Sequence, residues 1–446
     1  MTLTLDVAET RFLMTYTFNP EEFGGLKPSG PWAVLAPDAL EECIRFFTAP
    51  LREYFGTESP GVCVWQRQPA PGRFLVEKEE KESMQFSTEI VDLRLYLFRT
   101  GIAMLSVECN LLPAKEAQYT SDEPLTIDAL SEFNYQVARS IADRGARFRV
   151  DNGDASSAPA KESLAELARG WLPGGVVLDS NGERSYRVQT YARDAQLDPP
   201  LPWVRCPEKV VRFARVTALG YAPTERDKRG LEEGTLTEVL GRFDTERTGI
   251  TLEGMAILAA GNSPHVRGED FRKNVRSAWA VHYVLALHQR EALLQLAVKA
   301  GKLDSSGLAG KEWSDLRREV SEFNLRHRYS QVSGVTNYRD LYEHTTKALR
   351  IGDLLAEVRD EVHELDEQLR RETEKGEKGR AEKLNVLILC FGLVGLLFAV
   401  FGTNLYPFGG ANDQGGAFYR SIAFLGPFLL VVALSGVGYR WLKRQK

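Results

Sequence analysis

Cysteine is scarce, and the five present, Cys43, Cys63, Cys109, Cys206 and Cys390, are scattered and never stand as C-x-x-C. An odd, dispersed set excludes a complete disulfide framework and argues against a structural zinc site. Histidine is scarce as well. Of His265, His282, His288, His327, His344 and His363, only His282 and His288 lie close together, and a separation of six does not stack two ligands on one helix face. An excess of one charge is missing, since 56 basic residues face 61 acidic ones for a net of -5. Nothing in that balance draws the chain toward nucleic acid. No phosphate-cradling, metalloprotease, nucleophile-elbow or dinucleotide motif occurs in a supporting context, so catalysis and an organic cofactor are not expected. Met1 to Asp6 shows no basic leader ahead of an apolar run, and no export signal is expected. Proline is absent between Pro264 and Pro407, which leaves that stretch open to long helices.

What is present describes a folding chain of several parts. A 43% apolar and 26% charged composition over 446 residues excludes a disordered tail and suggests two to four domains of roughly 100 to 200 residues each. Residues 1–265 carry short alternating runs at Arg11 to Phe18, Val62 to Gln66 and Arg73 to Glu77. The clearest pattern alternates Leu93, Leu95 and Leu97 with Asp92, Arg94 and Tyr96, then resumes from Ile102 to Leu112 after Thr100-Gly101. That is a hairpin with one buried face. A second hairpin is expected about Ser180-Asn181-Gly182, from Val176-Val177-Leu178 to Tyr186-Arg187-Val188. Helical periods at Ile127 to Ala142 and Ser163 to Arg169 make the class α/β or α+β. Asp151 to Lys161 and Pro223 to Gly234 read as loops. Residues 266–336 read as a helical hairpin, Glu269 to Lys302 and Gly310 to His327, turning at Asp304 to Gly307.

The mean hydropathy of -0.27 conceals two uncharged apolar runs, residues 384–402 and 421–439. Each run covers roughly 28 Å as a helix, close to the hydrocarbon thickness of a bilayer, so residues 384–446 are expected to form a two-helix membrane domain. Lys375, Lys378, Arg380 and Lys383 precede the first run and Arg440, Lys443, Arg444 and Lys446 follow the second, while Arg420 alone lies between. The positive-inside rule then places both chain ends in the cytoplasm of a cell-membrane protein. Residues 337–383 carry an apolar stripe, Tyr338, Leu341, Ala348, Leu355, Val358, Val362, Leu365 and Leu369. They are expected to form a stalk helix continuous with the first span and packed against other copies of the chain. Gly376 and Gly379 lower helix stability in its charged last part. The acids Asp360, Glu361, Glu364, Asp366 and Glu367 suit a divalent cation between protomers or, more plainly, a solvated helix face.

The order of parts and one tetrapeptide, Phe401-Gly402-Thr403-Asn404 at the end of the first span, carry a resemblance. In both respects the chain resembles the CorA-type divalent-cation transporters, whose first span ends in an aromatic residue followed by Gly-Met-Asn. The resemblance implies a homo-oligomer, typically a pentamer, with Gly402 turning the chain and Asn404 presenting its side-chain carbonyl to a hydrated cation at the pore mouth. Magnesium suits such a site because it gives up water reluctantly. Thr403 stands where Met is usual, and variants at that position also occur in the zinc-transporting branch. Counting back from Asn404 by three or four residues reaches Val400, Leu397, Leu393, Cys390 and Val386, an apolar pore lining if Asn404 faces the pore. Gly392, Gly395, Ala399 and Gly402 gather on the opposite side, where another helix would approach closely. The loop beyond carries only Asp413 as an acid, fewer than the family usually has. A second reading therefore stands beside the channel: a membrane-anchored effector of the same architecture, activated by a cytosolic ligand and not transporting magnesium.

Overall fold

The computed structural model describes residues 10–18, 29–56, 61–78, 85–111, 125–139, 146–150, 162, 164–173, 186–193, 214–216, 238–240, 246–259, 273–275, 279–303, 311–329 and 331–404. The chain divides into two compact units, residues 1–362 and 363–446. The first is a mixed α/β domain built on one sheet of eleven strands among the described residues. These are β1 (Arg11–Phe18), β2 (Trp32–Val34), β3 (Val62–Arg67), β4 (Gly72–Lys78), β5 (Gln85–Phe98) and β6 (Ala103–Leu111), followed by β7 (Ala146–Val150), β8 (Tyr186–Arg193), β9 (Glu238–Leu240), β10 (Glu246–Ile250) and β11 (Gly254–Ala259). They lie in the order β2-β3-β5-β6-β1-β8-β11-β10-β9, with β4 paired to β5 and β7. All pairs are antiparallel except β8 with β11.

The expected hairpin is β5 and β6, joined across Arg99 to Ile102, with Gly101 at φ 83 where a side chain would strain the turn. Its register slips between Ile90 and Asp92, so Val91 is a bulge that resets the alternation of side chains. Past the bulge, Leu93, Leu95 and Leu97 join Leu105, Val107 and Cys109 in the apolar core. Helices α3 (Ile127–Arg139) and α4 (Leu164–Trp171) supply Leu130, Phe133, Val137, Ala168 and Trp171 to the same core. A large apolar side chain buried there contributes about 1.5–3 kcal/mol, and this face holds the sheet together. The second expected hairpin finds only its later half described: β8 runs beside β1 and β11, and residues 176–178 lie outside the described residues. The expected loops at 151–161 and 223–234 lie outside them too.

Short helices α1 (Pro37–Ile44) and α2 (Ala49–Tyr54) follow β2. Within residues 266–336, expected as a helical hairpin, the described helices are α5 (Ala280–Lys302) and α6 (Lys311–Glu322), and α6 runs into a π-helical turn, Phe323–His327; the expected turn at 304–307 lies outside the described residues. The single stalk helix expected from residue 337 is instead two, α7 (Thr336–Ala348) and α8 (Ile351–Asn404). Arg350 separates them at φ 55, a left-handed conformation that ends a helix. Leu349, outside the expected stripe, is fully buried beside the break, and its carbonyl accepts a hydrogen bond from Arg290 Nη1 at 2.7 Å. The start of α8 packs on the domain through Ile351, Leu355 and Val358, all buried.

In the second unit α8 continues without interruption through Gly376 and Gly379 to Asn404, so its 54 residues measure about 81 Å at 1.5 Å each. Among the described residues no helix is long and apolar enough to cross a membrane. Of the first expected span, the side chains of Val394 and of residues 396–402 lie outside the described part, as does all of the second.

Candidate functional site

Three places in the chain concentrate chemistry. The first is the C-terminal end of α8, where Gly402, Thr403 and Asn404 form the last helical residues. Because the helix is unbroken, Val386, Cys390, Leu393, Leu397, Val400 and Asn404 fall within an arc of about 80° at 100° per residue. Val386, Cys390 and Leu393 are exposed in the single chain, and a side chain added at Gly392 or Gly395 would meet nothing within 4 Å. Of the stalk acids, Asp360, Glu364 and Glu367 share a helix face, while Glu361 and Asp366 lie to either side. Glu367 is held by Arg371 at 2.7 Å and His363 at 3.6 Å. Burial and the neighbouring Glu357 push the Glu361 carboxyl above its usual pKa. Among the described residues no three His, Cys, Asp or Glu side chains gather as a metal site, so within one chain the five acids do not meet.

The second place is the face of the sheet turned away from the apolar core. Pairing puts Glu108 and Gln189 on either side of Leu13, and Ser106 and Arg187 on either side of Thr15. Asp92 and Arg94 continue the row on β5. The alternation at Asp92, Arg94 and Tyr96 suggested a solvated face, yet these residues are 6%, 9% and 2% exposed, so this side is buried as well. Arg94 ion-pairs with Asp92 at 2.7 Å and donates to Cys43 Sγ on α1 at 3.0 Å, while Gln66 donates to Asp92 at 2.8 Å. Tyr191 stacks on Trp279, just ahead of α5, with centroids 5.6 Å apart. Several buried polar atoms here, namely Thr15 Oγ1, Thr17 Oγ1, both ends of the Gln189 amide and the Tyr191 and Tyr283 hydroxyls, have no hydrogen-bond partner among the described residues. A buried polar group left so costs about 1–3 kcal/mol, which is uncommon in a layer built for stability alone.

The third place is a cleft of about 220 Å³ in the first unit. The β5–β6 turn gives it Arg99, Thr100 and Gly101, and α5 gives it Ala292, Gln295, Leu296 and Lys299. Glu319 and Glu322 of α6 and Phe323 and His327 of the π-helical turn form the opposite wall. π-Helical turns recur at functional sites because the widened turn re-aims side chains. Behind the wall lies His288, fully buried, stacked on Phe98 at 3.8 Å and hydrogen-bonded through Nε2 to Thr100 Oγ1 at 2.8 Å. His327 shares a 2.8 Å hydrogen bond between Nδ1 and the Tyr54 hydroxyl, and its ring meets that of His288 edge-on at 5.8 Å. Burial drives the pKa of His288 well down and that of His327 to about 4, so both rings are neutral at pH 7. Lys299 and Glu319 pair across the mouth at 2.6 Å.

Sequence reasoning singled out the first place and missed the other two. Ile90 and Leu93, core residues three apart in a strand of period two, are the signal of the bulge that builds the polar face. His288 and His327 carry no local signal, because they stand 39 positions apart in the chain and only the packing of α5 against the π-helical turn brings them together. No protein-family profile matches the chain, and no curated protein matches it.

Proposed function

We propose that the chain is a homo-oligomeric, CorA-like channel for a divalent cation, magnesium or zinc, set in the cell membrane with both ends cytoplasmic and gated from its α/β domain. The observation that carries this reading is α8: one unbroken helix that begins packed on the α/β domain and ends in Gly402-Thr403-Asn404. Such a helix can transmit a rotation or shift from the domain to the apolar stripe at Val386, Cys390, Leu393, Leu397 and Val400. An apolar ring of that kind closes by dewetting. The membrane potential supplies the driving force, about 2.3 kcal/mol per charge per 100 mV, and no hydrolysis is required. Asn404 at the helix end would hold the hydrated ion through its carbonyl, with each copy of the chain contributing one.

The test is cation entry into liposomes carrying the full-length protein, followed for magnesium, zinc, cobalt and nickel. Flux in the native chain and its loss in Asn404→Ala are expected. Unchanged flux in the variant sinks the filter, and silence toward all four ions in an intact oligomer sinks the channel.

The buried polar face, with its unpartnered polar atoms, also suits the second reading, a membrane-anchored effector activated by a cytosolic ligand. Under it the same liposomes stay closed to magnesium and leak only when the ligand is present.

A further inference from the structure

We propose that the cleft between the β5–β6 turn, α5 and the π-helical turn binds a small zwitterion of the amino-acid class and reports its occupancy to the start of α8. The inference deepens the gated-channel reading and rests on it for its consequence, not for the binding itself.

The ligand class follows from size and charge. A volume of about 220 Å³ lies below the range of about 300–1,000 Å³ usual for drug-sized ligands, which favours a ligand the size of a single amino acid over a dinucleotide. The floor is apolar, from Ala292, Leu296 and Phe323, while cations and carboxylates are balanced around the mouth. Lys299 and Glu319 are about half and a third exposed, so their ion pair is worth about 0–1 kcal/mol and is readily exchanged. A zwitterion replaces it with two new pairs, carboxylate to Lys299 and ammonium to Glu319. A simple anion or cation instead takes one partner and leaves a like charge beside it. The neutral imidazole of His327 and the Gln295 amide add hydrogen-bonding groups that carry no charge.

The route to α8 is a set of contacts made by the π-helical turn itself. Phe323 and His327 face the cleft, and Asn324 between them accepts a hydrogen bond from Arg359 of α8 at 2.9 Å. The carbonyl of His327 accepts from Gln289 Nε2 at 2.6 Å, and Gln289 Oε1 accepts from the Tyr342 hydroxyl of α7 at 2.8 Å. Refilling the cleft displaces this turn, and both helices leading to the C-terminal unit are fastened to it. A π-helical turn is a local departure from the α-helix that α6 otherwise follows, and return to α-helical pairing is the alternative state that the proposed coupling uses.

The experiment is titration calorimetry on full-length protein in lipid nanodiscs, with the twenty proteinogenic L-amino acids as probes. At least one should bind, and its N-acetylated and C-amidated forms should not. Lys299→Ala and Glu319→Gln should each weaken that binding by up to about fivefold, with circular dichroism confirming the fold. Deuterium uptake across residues 351–362 should fall on binding in the native protein and not in Asn324→Ala, which should still bind. If no amino acid binds more tightly than about 1 mM, or the blocked forms bind equally well, or both wall variants bind normally, the site is overturned. Binding without any change in uptake overturns the coupling. Because heat is read without flux, a chain that binds but passes no cation overturns the channel reading and leaves the site standing.

Discussion

At the residue level the two buried imidazoles set a pH dependence. Unfolding returns His288 and His327 to a pKa near 6.5, whereas burial holds His327 at about 4 and His288 well below its usual value. Around His327, Glu322 favours protonation and Arg326 and Arg99 oppose it, so burial decides the direction. The folded pKa is depressed, so the unfolded chain binds more protons below pH 6.5. The stabilising contribution is therefore full above pH 6.5 and is lost as pH falls toward 4. Each histidine should contribute a slope of about 1.4 kcal/mol per pH unit between pH 6 and 5. Urea unfolding at several pH values should show this fall, and His327→Gln should remove about half of the slope. A flat profile from pH 7 to 5 would mean that neither ring is buried neutral.

At the level of elements, two backbone positions decide how strands and helices meet. Gly254 opens β11 beside β8, and a Cβ there would lie 2.2 Å from the carbonyl oxygen of Val188 and 3.2 Å from that of Ala214. Neither is the end of a flexible side chain, so Gly254→Ala must push this parallel pair apart. We expect a loss of about 1–3 kcal/mol in denaturant unfolding. Arg350 is the opposite case, a side-chain-bearing residue at φ 55 between α7 and α8. A left-handed residue costs about 1–2 kcal/mol unless it is glycine, and the exposed Arg350–Asp353 pair at 2.9 Å recovers little of that. Arg350→Gly should therefore raise stability by about 1 kcal/mol, measured the same way, while Arg350→Val should lower it. Strand and helix types were legible from period alone at Arg11–Phe18, the β5–β6 hairpin, α3 and α4. The break at Arg350 was not, because it accompanies the burial of Leu349, whose carbonyl bonds to Arg290, 59 positions earlier.

At the scale of the whole molecule, the described surface of α8 beyond Lys383 is apolar and open to solvent in a single chain. Leu384, Ile388, Leu389, Phe391 and Leu393 are each more than half exposed. Each would gain about 1.5–3 kcal/mol on burial, which supports the proposed place of this helix in lipid or against other copies of the chain. Full-length protein should therefore sediment with membranes and resist alkaline extraction, whereas a chain ending at Lys383 should remain in the supernatant. Recovery of both in the supernatant would remove the membrane from the proposal.

Composition and periodicity by themselves determined the α/β class of the first unit, the positions of its strong strands and helices, and the helical character of residues 351–404. These follow from local rules, since the side-chain periods of two and 3.6 are properties of the backbone alone. Only the tertiary structure decided that the charged face of the β5–β6 hairpin is buried, that His288 and His327 meet behind a cleft, and that the helix breaks at Arg350. Those depend on which segments pack against one another, and side chains brought together from distant parts of the chain leave no period in the sequence to read.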